Sequence, residues 1–328
     1  MKKGKIALIV IGSILVVAGI AVGTIGYWQA GGFEDWTNIN RFSGYIDETK
    51  DFTETETNTV TRIEVYNAVG DINVTHSEDS KIHIKYKTDE YSNYQIGISD
   101  GALKIKSEYK FDLWKNLWYW PNSSQTLEIA IPPTLVFDLD VESDIGSIEI
   151  VKTFLGNIDK KITADTNTGS IHIANQVVKS IDSETNTGSI TIENCQSHLA
   201  DSVLKNETDT GSIKYKGNIA FSKITDSTSV GSIGRLTETH TLDVLNYTGA
   251  TSTGSINLKI ASRTDGDYKF KSSTGGINLE LSGIDSDYNI SYKTSVGSKL
   301  HGASVGNTSG SRTVDIRLST GSGKISFF

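Results

Sequence analysis

Carboxylates, histidines and aromatic side chains are the groups in this chain that could do chemistry, and their spacing speaks against catalysis. A glycan lyase or hydrolase needs carboxylates gathered on one face, commonly with a basic partner. The sequence holds no Asp-Asp pair, and Asp165 and Asp209 stand four and two residues ahead of the repeated glycines described below, in different columns. His76, His83, His172, His198, His240 and His301 recur at no common position, and Arg41, Arg62, Arg235, Arg263, Arg312 and Arg317 are scattered, so no convergent set emerges. Cys195 is the only cysteine, which excludes a disulfide framework and a Cys-built zinc site. It reads as an apolar filler. Gly70-Asp71 and Gly266-Asp267 lack the rest of the glycine-rich series that binds calcium, and no lysine follows a glycine run suited to phosphate. The expectation is no enzyme, no metal and no cofactor.

One local feature stands out as a candidate ligand surface. The run YKFDLWKNLWYWP at 109–121 gathers Tyr109, Phe111, Trp114, Trp118, Tyr119 and Trp120, including three of the five tryptophans. Trp114, Trp118, Tyr119 and Trp120 make either a hydrophobic cap over the end of a repeat array or an exposed platform for sugar rings, peptides or lipid head groups.

The elements that would position such a surface begin with an anchor. Residues 6–28 (IALIVIGSILVVAGIAVGTIGYW) carry no charged side chain, and about 20 apolar residues in a helix span a bilayer core. Lys2, Lys3 and Lys5 precede the stretch, and Glu34 and Asp35 are the first charges after it. The positive-inside tendency therefore predicts a cytoplasmic N-terminus, a single pass through the cell membrane and an extracellular remainder. A cleaved signal peptide is the alternative, which expects a shorter apolar stretch ending in small residues; either way the bulk of the chain is exported. Residues 29–58, with the polar run Thr53–Thr57, read as an extracellular linker. The net charge of −8 argues against a nucleic-acid partner.

Beyond the linker the chain repeats. SDIGSIEI, TNTGSIHI, TNTGSITI, TDTGSIKY, TSVGSIGR, TSTGSINL, SSTGGINL, TSVGSKLH and LSTGSGKI place glycines at Gly146, Gly169, Gly188, Gly211, Gly231, Gly254, Gly275, Gly297 and Gly321. Their spacings are 23, 19, 23, 20, 23, 21, 22 and 24 residues, a period that marks a solenoid. A β-branched residue precedes every one of these glycines, and an alternating pair such as Ile171/Ile173 or Ile190/Ile192 follows most of them. A second alternating run lies upstream of each, such as Leu139/Val141 or Tyr268/Phe270. Alternation of period two puts those side chains on one face of a strand. A rung of about 22 residues cannot bury that face alone, so stacked rungs must bury one continuous column. Pro121, Pro132 and Pro133, the only prolines, all lie upstream of the regular copies, as a ladder that needs every donor requires. The prediction is an all-β, parallel β-solenoid. It comprises irregular first rungs over 59–145, with the aromatic insertion at 109–121, and a regular array over 146–328. The altered last two copies, where Lys299 replaces an inward isoleucine and Gly323 intrudes, suit an end cap.

The order IEVYNAVGDINV, GALKIKSEYKF, an aromatic insertion, LEIAIPPTLVFDLDVESDIGSIEI and successive TGSI rungs resembles the bacterial putative adhesin family of unknown function. That group of β-strand-repeat envelope proteins includes LiaG-like membrane proteins. The resemblance covers about residues 59–328. It implies an exported β-repeat module in a bacterial envelope and transfers no catalytic residue. The expected role is non-catalytic: adhesion or envelope interaction, with cell-wall or host glycans, lipid head groups or other envelope proteins as partners. A sensor of envelope stress is the alternative, and a polysaccharide lyase or hydrolase on a β-helix is a third.

Overall fold

Alternating residues on both sides of each glycine become two strands per repeat, and the glycine becomes the corner between them. A computed structural model of the protein describes residues 46–88, 92–109, 126–234, 240–297, 300–306 and 309–328. In chain order, the first part holds β1 (Ile46–Phe52), a one-turn helix α1 (Glu54–Thr57), β2 (Arg62–Val69) and β3 (Asp71–His76). It continues with β4 (Ile82–Thr88), β5 (Ser92–Ser99), β6 (Ala102–Tyr109) and β7 (Thr126–Ile131). The regular array holds β8 (Asp138–Ile145), β9 (Ile148–Ile150), β10 (Lys161–Thr168), β11 (Ile171–Ala174), β12 (Ser180–Thr187), β13 (Ile190–Glu193) and β14 (Val203–Thr210). It ends with β15 (Ile213–Val230), β16 (His240–Thr253), β17 (Ile256–Thr274), β18 (Ile277–Leu281), β19 (Tyr288–Gly297), β20 (Arg312–Gly321) and β21 (Gly323–Phe327).

The rungs stack in parallel and in register. Ile162 lies beside Leu139 on one side and Ile181 on the other, and Ile171, Ile190 and Ile213 follow one another down the next face. Ile72, Ile148, Ile171, Ile190, Ile213, Ile233, Ile256 and Ile277 are all fully buried. The predicted isoleucine column is therefore the spine of the core. Residues of one rung sit about 4.8 Å from their equivalents in the next, so each isoleucine packs between two others.

The structure gives the TxTGS signature a job for each residue. At five corners the buried threonine three residues before the glycine donates its hydroxyl to the glycine carbonyl of the preceding rung: Thr166 to Gly146, Thr185 to Gly169, Thr208 to Gly188, Thr228 to Gly211 and Thr251 to Gly231, at 2.9–3.0 Å. The serine after the corner accepts the next rung's backbone N–H, as Ser147 does from Ser170 and Ser170 from Ser189. The threonine directly before the glycine is exposed. In the middle of the array, corner carbonyls and the amides that follow them thus find side-chain partners in adjacent rungs. Thr185→Val keeps the shape and removes one such bond, so it is expected to cost about 1–2 kcal/mol in urea unfolding. The same change at exposed Thr187 should leave the midpoint unmoved.

Both ends depart from the order read along the chain. The last rung in sequence is not the last in space: β20 lies between β17 and β19. β20 buries Val314, Ile316 and Leu318, whereas Thr294, which pairs with Leu318, is exposed on β19. The strand with the fuller apolar set takes the two-sided place. At the other end β2 is flanked by β6 and β8, and β3 by β7 and β9, so β6 and β7 form the outer rung. Antiparallel strands then cover that rung: β5 pairs with β6, β4 with β7 and β1 with β4. This closes an edge that would otherwise invite pairing. The irregular first rungs over 59–145 thus mix parallel and antiparallel pairings in an order that the chain order does not give, because alternation specifies the buried face of a strand and not its neighbour. The linker expectation for 29–58 is corrected over its described part. Ile46–Phe52 is a strand whose side chains are exposed up to the buried Phe52, and Thr53 and Glu56 cap α1. Its polarity reflects an edge position rather than a spacer.

Candidate functional site

Outward-facing residues of one sheet form ladders, because register is kept from rung to rung. Four residues before each corner the ladder reads Glu142, Asp165, Glu184, Glu207, Ser227, Ala250, Lys271, Arg317 and Lys293 in spatial order. Four consecutive carboxylates are followed by two small residues and then by three cations. Among the described residues, Glu142, Asp165, Glu184, Lys271 and Lys293 have no ion-pair partner. Burial, and then the charges of Glu142, Asp140 and Asp182, hold the Asp165 carboxyl above its usual range. Burial, with Asp165 and Glu207 next, does the same for Glu184. Lys205 partly offsets this, lying 3.5 Å from Asp182 and 3.4 Å from Glu207.

This ladder is what the reading of the sequence missed. Asp165 and Asp209 do fall in different columns, but Asp165 shares its column with three glutamates. The signal was available: each of these residues precedes its corner glycine by four. That signal is weak along the chain, because the cluster mixes Asp with Glu and its members stand about 20 residues apart. The carboxylates are exposed or half-buried and face solvent in a line. Among the described residues, no group of three or more His, Cys, Asp and Glu side chains is placed to hold a metal ion.

A second polar feature lies inside the stack. In the inward column five residues before the corner, Ala164 is followed by Ser183, Asn206, Asp226 and Gly249. The Asp226 carboxylate, 1% exposed, accepts hydrogen bonds from Tyr215 Oη at 2.6 and 2.7 Å, from Asn206 Nδ2 at 2.8 Å, and from Tyr247 Oη. Ser183 Oγ donates to Asn206 Oδ1 at 2.7 Å. Gly249 leaves the room that the Tyr247 ring occupies. The cluster is sealed by packing, so it is a structural knot rather than a site.

It does make stability depend on pH. Burial raises the Asp226 pKa from 3.8 to about 6, against the lowering effect of its three donors. Between those values the folded chain holds a proton that the unfolded chain has released, so this group's contribution falls as pH rises through the window. Above it, the ionised carboxylate costs at most about 3 kcal/mol. Asp226→Asn is therefore expected to raise the melting temperature at pH 7.5 and to lose that advantage near pH 4. A difference between the two proteins that is flat with pH would refute the assignment.

The other candidate residues fall as follows. Gly70, Gly146, Gly169, Gly188, Gly211, Gly231, Gly254, Gly275 and Gly321 line up along one edge, each corner against its predecessor's backbone. Gly297 ends β19 beside Gly321. Cys195 is fully buried, and burial pushes its thiol up to about 12, which makes it an unreactive filler. His172 lies 3.3 Å from both Glu149 and Glu193 across neighbouring rungs, and His83 bridges Asp51 and Asp79. Trp114, Trp118, Tyr119 and Trp120 lie outside the described residues, in the segment that joins β6 to β7 of the outer rung. The anchor at 6–28 also lies outside them; among the described residues no helix is long and apolar enough to cross a membrane.

Residues 60–326 match the family described as Toastrack DUF4097. The chain belongs to that family. The match takes in every rung from β2 to β21, so the stack as a whole is the family's domain. Solved structures similar to this Toastrack chain include a putative adhesin from Bacteroides fragilis (14% identity, 87% of this chain and 98% of that one, TM-score 0.42). Putative adhesins from Parabacteroides distasonis (13%, 87% and 98%, TM-score 0.46) and Parabacteroides merdae (15%, 84% and 95%, TM-score 0.46) are also similar. Among curated proteins none matches. The Toastrack match spans the IEVYNAVGDINV and TGSI segments on which the resemblance to the putative adhesin family rests.

Proposed function

We propose that the chain is a non-catalytic cell-envelope protein, held in the membrane by residues 6–28, whose Toastrack stack serves adhesion or envelope interaction outside the cell. The observation that carries this reading is the division of labour within each rung. Among the described residues, inward side chains are consumed by packing and corner residues by holding the next rung, which leaves the outward ladders for contact. Such a surface suits an extended partner that touches many rungs weakly, a cell-wall or host glycan, a head-group layer or another envelope protein. Two surface depressions among the described residues, one beside α1 and one over β2 and β6, are open to solvent, unlike the enclosed sites that small substrates use. The uncharged stretch at 6–28 after three lysines supports export with the N-terminus inside.

Protease added outside intact cells is expected to remove the stack while sparing a cytoplasmic N-terminal tag. Protection of the stack would overturn the placement. Purified full chain in detergent is expected to sediment with isolated cell-wall sacculi or with liposomes, and to leave glycan chain length unchanged. Retention by neither material, or shortening of the glycan, would overturn the role.

A further inference from the structure

The charged ladder reverses sign along its length, and the two halves are spaced by the same rung repeat. Counting outward from the point between Ser227 and Ala250, the residues on one side are Glu207, Glu184 and Asp165, and on the other Lys271, Arg317 and Lys293. A two-fold axis lying along the strands at that point would bring each acid opposite a base. We propose that two copies of the chain associate through this face, antiparallel along the stack, with the acidic half of each ladder against the cationic half of the other.

Three observations favour a second copy over another polyion. Both halves have the same period, because the same fold sets it, so all three pairs can form at once. The residues at the centre, Ser227 and Ala250, are small and half-buried, which lets the two sheets approach. The adjacent ladder two residers nearer the corners is uncharged from Ser229 through Ser252, Ser273, Ser319 and Ser295, and its one acid in the span, Asp209, would meet Ser273. The ladder on the other side would oppose Asp182 to Asp315 and Lys205 to Lys269, so it must stay at the rim. There those groups already have partners within their own chain: Asp182 with Lys205, Asp315 with Arg317, and Lys269 with Asp267. Such an interface is steered by charge and weakened by salt.

The test uses the full chain in detergent with Ser227→Cys as a cross-linking handle, since Cys195 is buried. A short bis-maleimide is expected to give a covalent dimer at low salt. Glu184→Lys with Glu207→Lys, and separately Lys271→Glu with Arg317→Glu, should each lower that yield about tenfold, because each homodimer then opposes like charges. Mixing the two charge-reversed proteins should restore it, since every pair becomes opposite again. Circular dichroism on each variant establishes that it is folded. Cross-linking in the reversed proteins as high as in the Ser227→Cys protein of unaltered charge, or failure of the folded mixture to regain it, would overturn the proposal. Neither result bears on attachment to glycans or lipid.

Discussion

Gly188→Ala is expected to lower stability by about 3–5 kcal/mol, far more than an added methyl group costs on an ordinary surface. The reason is the distance between rungs. A Cβ at Gly188 would fall on the carbonyl of Gly169, with the amide of Ser170 next to it. Neither group can step aside. Gly169 receives the Thr185 hydroxyl on its oxygen and donates its N–H to Thr187, and the two rungs are paired from Lys161–Ser180 to Thr168–Thr187. The backbone at Gly188 also has φ of +155°, where a side chain is strained in its own right. Relief would require the two rungs to separate at the corner, breaking the Thr185 bond and the serine contact beside it. Gly97→Ala on β5, where a Cβ would meet nothing within 4 Å, is the control and should shift the urea midpoint little. An unchanged midpoint for Gly188→Ala would mean that the corners do not stack.

How far the sequence disclosed this structure depends on which property is asked about. The glycines, the isoleucine after each and the alternating run before each were all legible, because every rung solves the same packing problem with the same residues. Ile190 is buried for the reason Ile171 is. The hydrogen-bonding role of Thr185 was not legible, because TNTG places two threonines near the corner and composition does not say which points inward. Nor was the place of β20 between β17 and β19. In-register stacking is equally consistent with any order of similar rungs, and only the difference between buried Leu318 and exposed Thr294 separates them. The linker expectation takes in β1 because Asp47, Glu48, Thr49 and Lys50 have no apolar alternation; a strand lying at the edge on β4 needs none. The charge ladder was legible in principle. Glu142, Asp165, Glu184 and Glu207 each stand four residues before a corner, so the outward-facing positions of the repeat carry the pattern as plainly as the inward ones.

That outward reading links the fold to its use. A solenoid multiplies whatever one position carries, so a single carboxylate per rung becomes a row of like charges about 4.8 Å apart. Like charges at that spacing repel, and after burial the neighbouring carboxylates are what hold Asp165 and Glu184 above their usual range. Retaining the row costs stability that a partner with positive charge at the same spacing would return. The cationic row on the far half of the same face is one such partner.

Ile190→Asp is expected to have the largest effect of any single change, a loss of about 5 kcal/mol or more at pH 8, enough to unfold the middle of the array. Ile190 is fully buried between Ile171 and Ile213, with Ile192 beside it in the same strand. None of these offers a hydrogen bond to a carboxylate. The side chain would take up a proton rather than stay charged, so the loss should be smaller at pH 5 than at pH 8. Ile190→Val, which removes one methyl group, should cost about 1 kcal/mol at either pH. Position matters as well as chemistry. Each rung contacts only its neighbours, so Ile190→Asp severs the column with several rungs on either side. Ile325→Asp in β21, beside the end of the stack, should open the terminal rungs alone. Hydrogen exchange distinguishes the two: the central variant should lose protection from β10 through β15, while the terminal one keeps it there. Equal loss of protection in both would mean that the stack unfolds as one unit, and retention in both would mean that the isoleucine column is not what holds the rungs together.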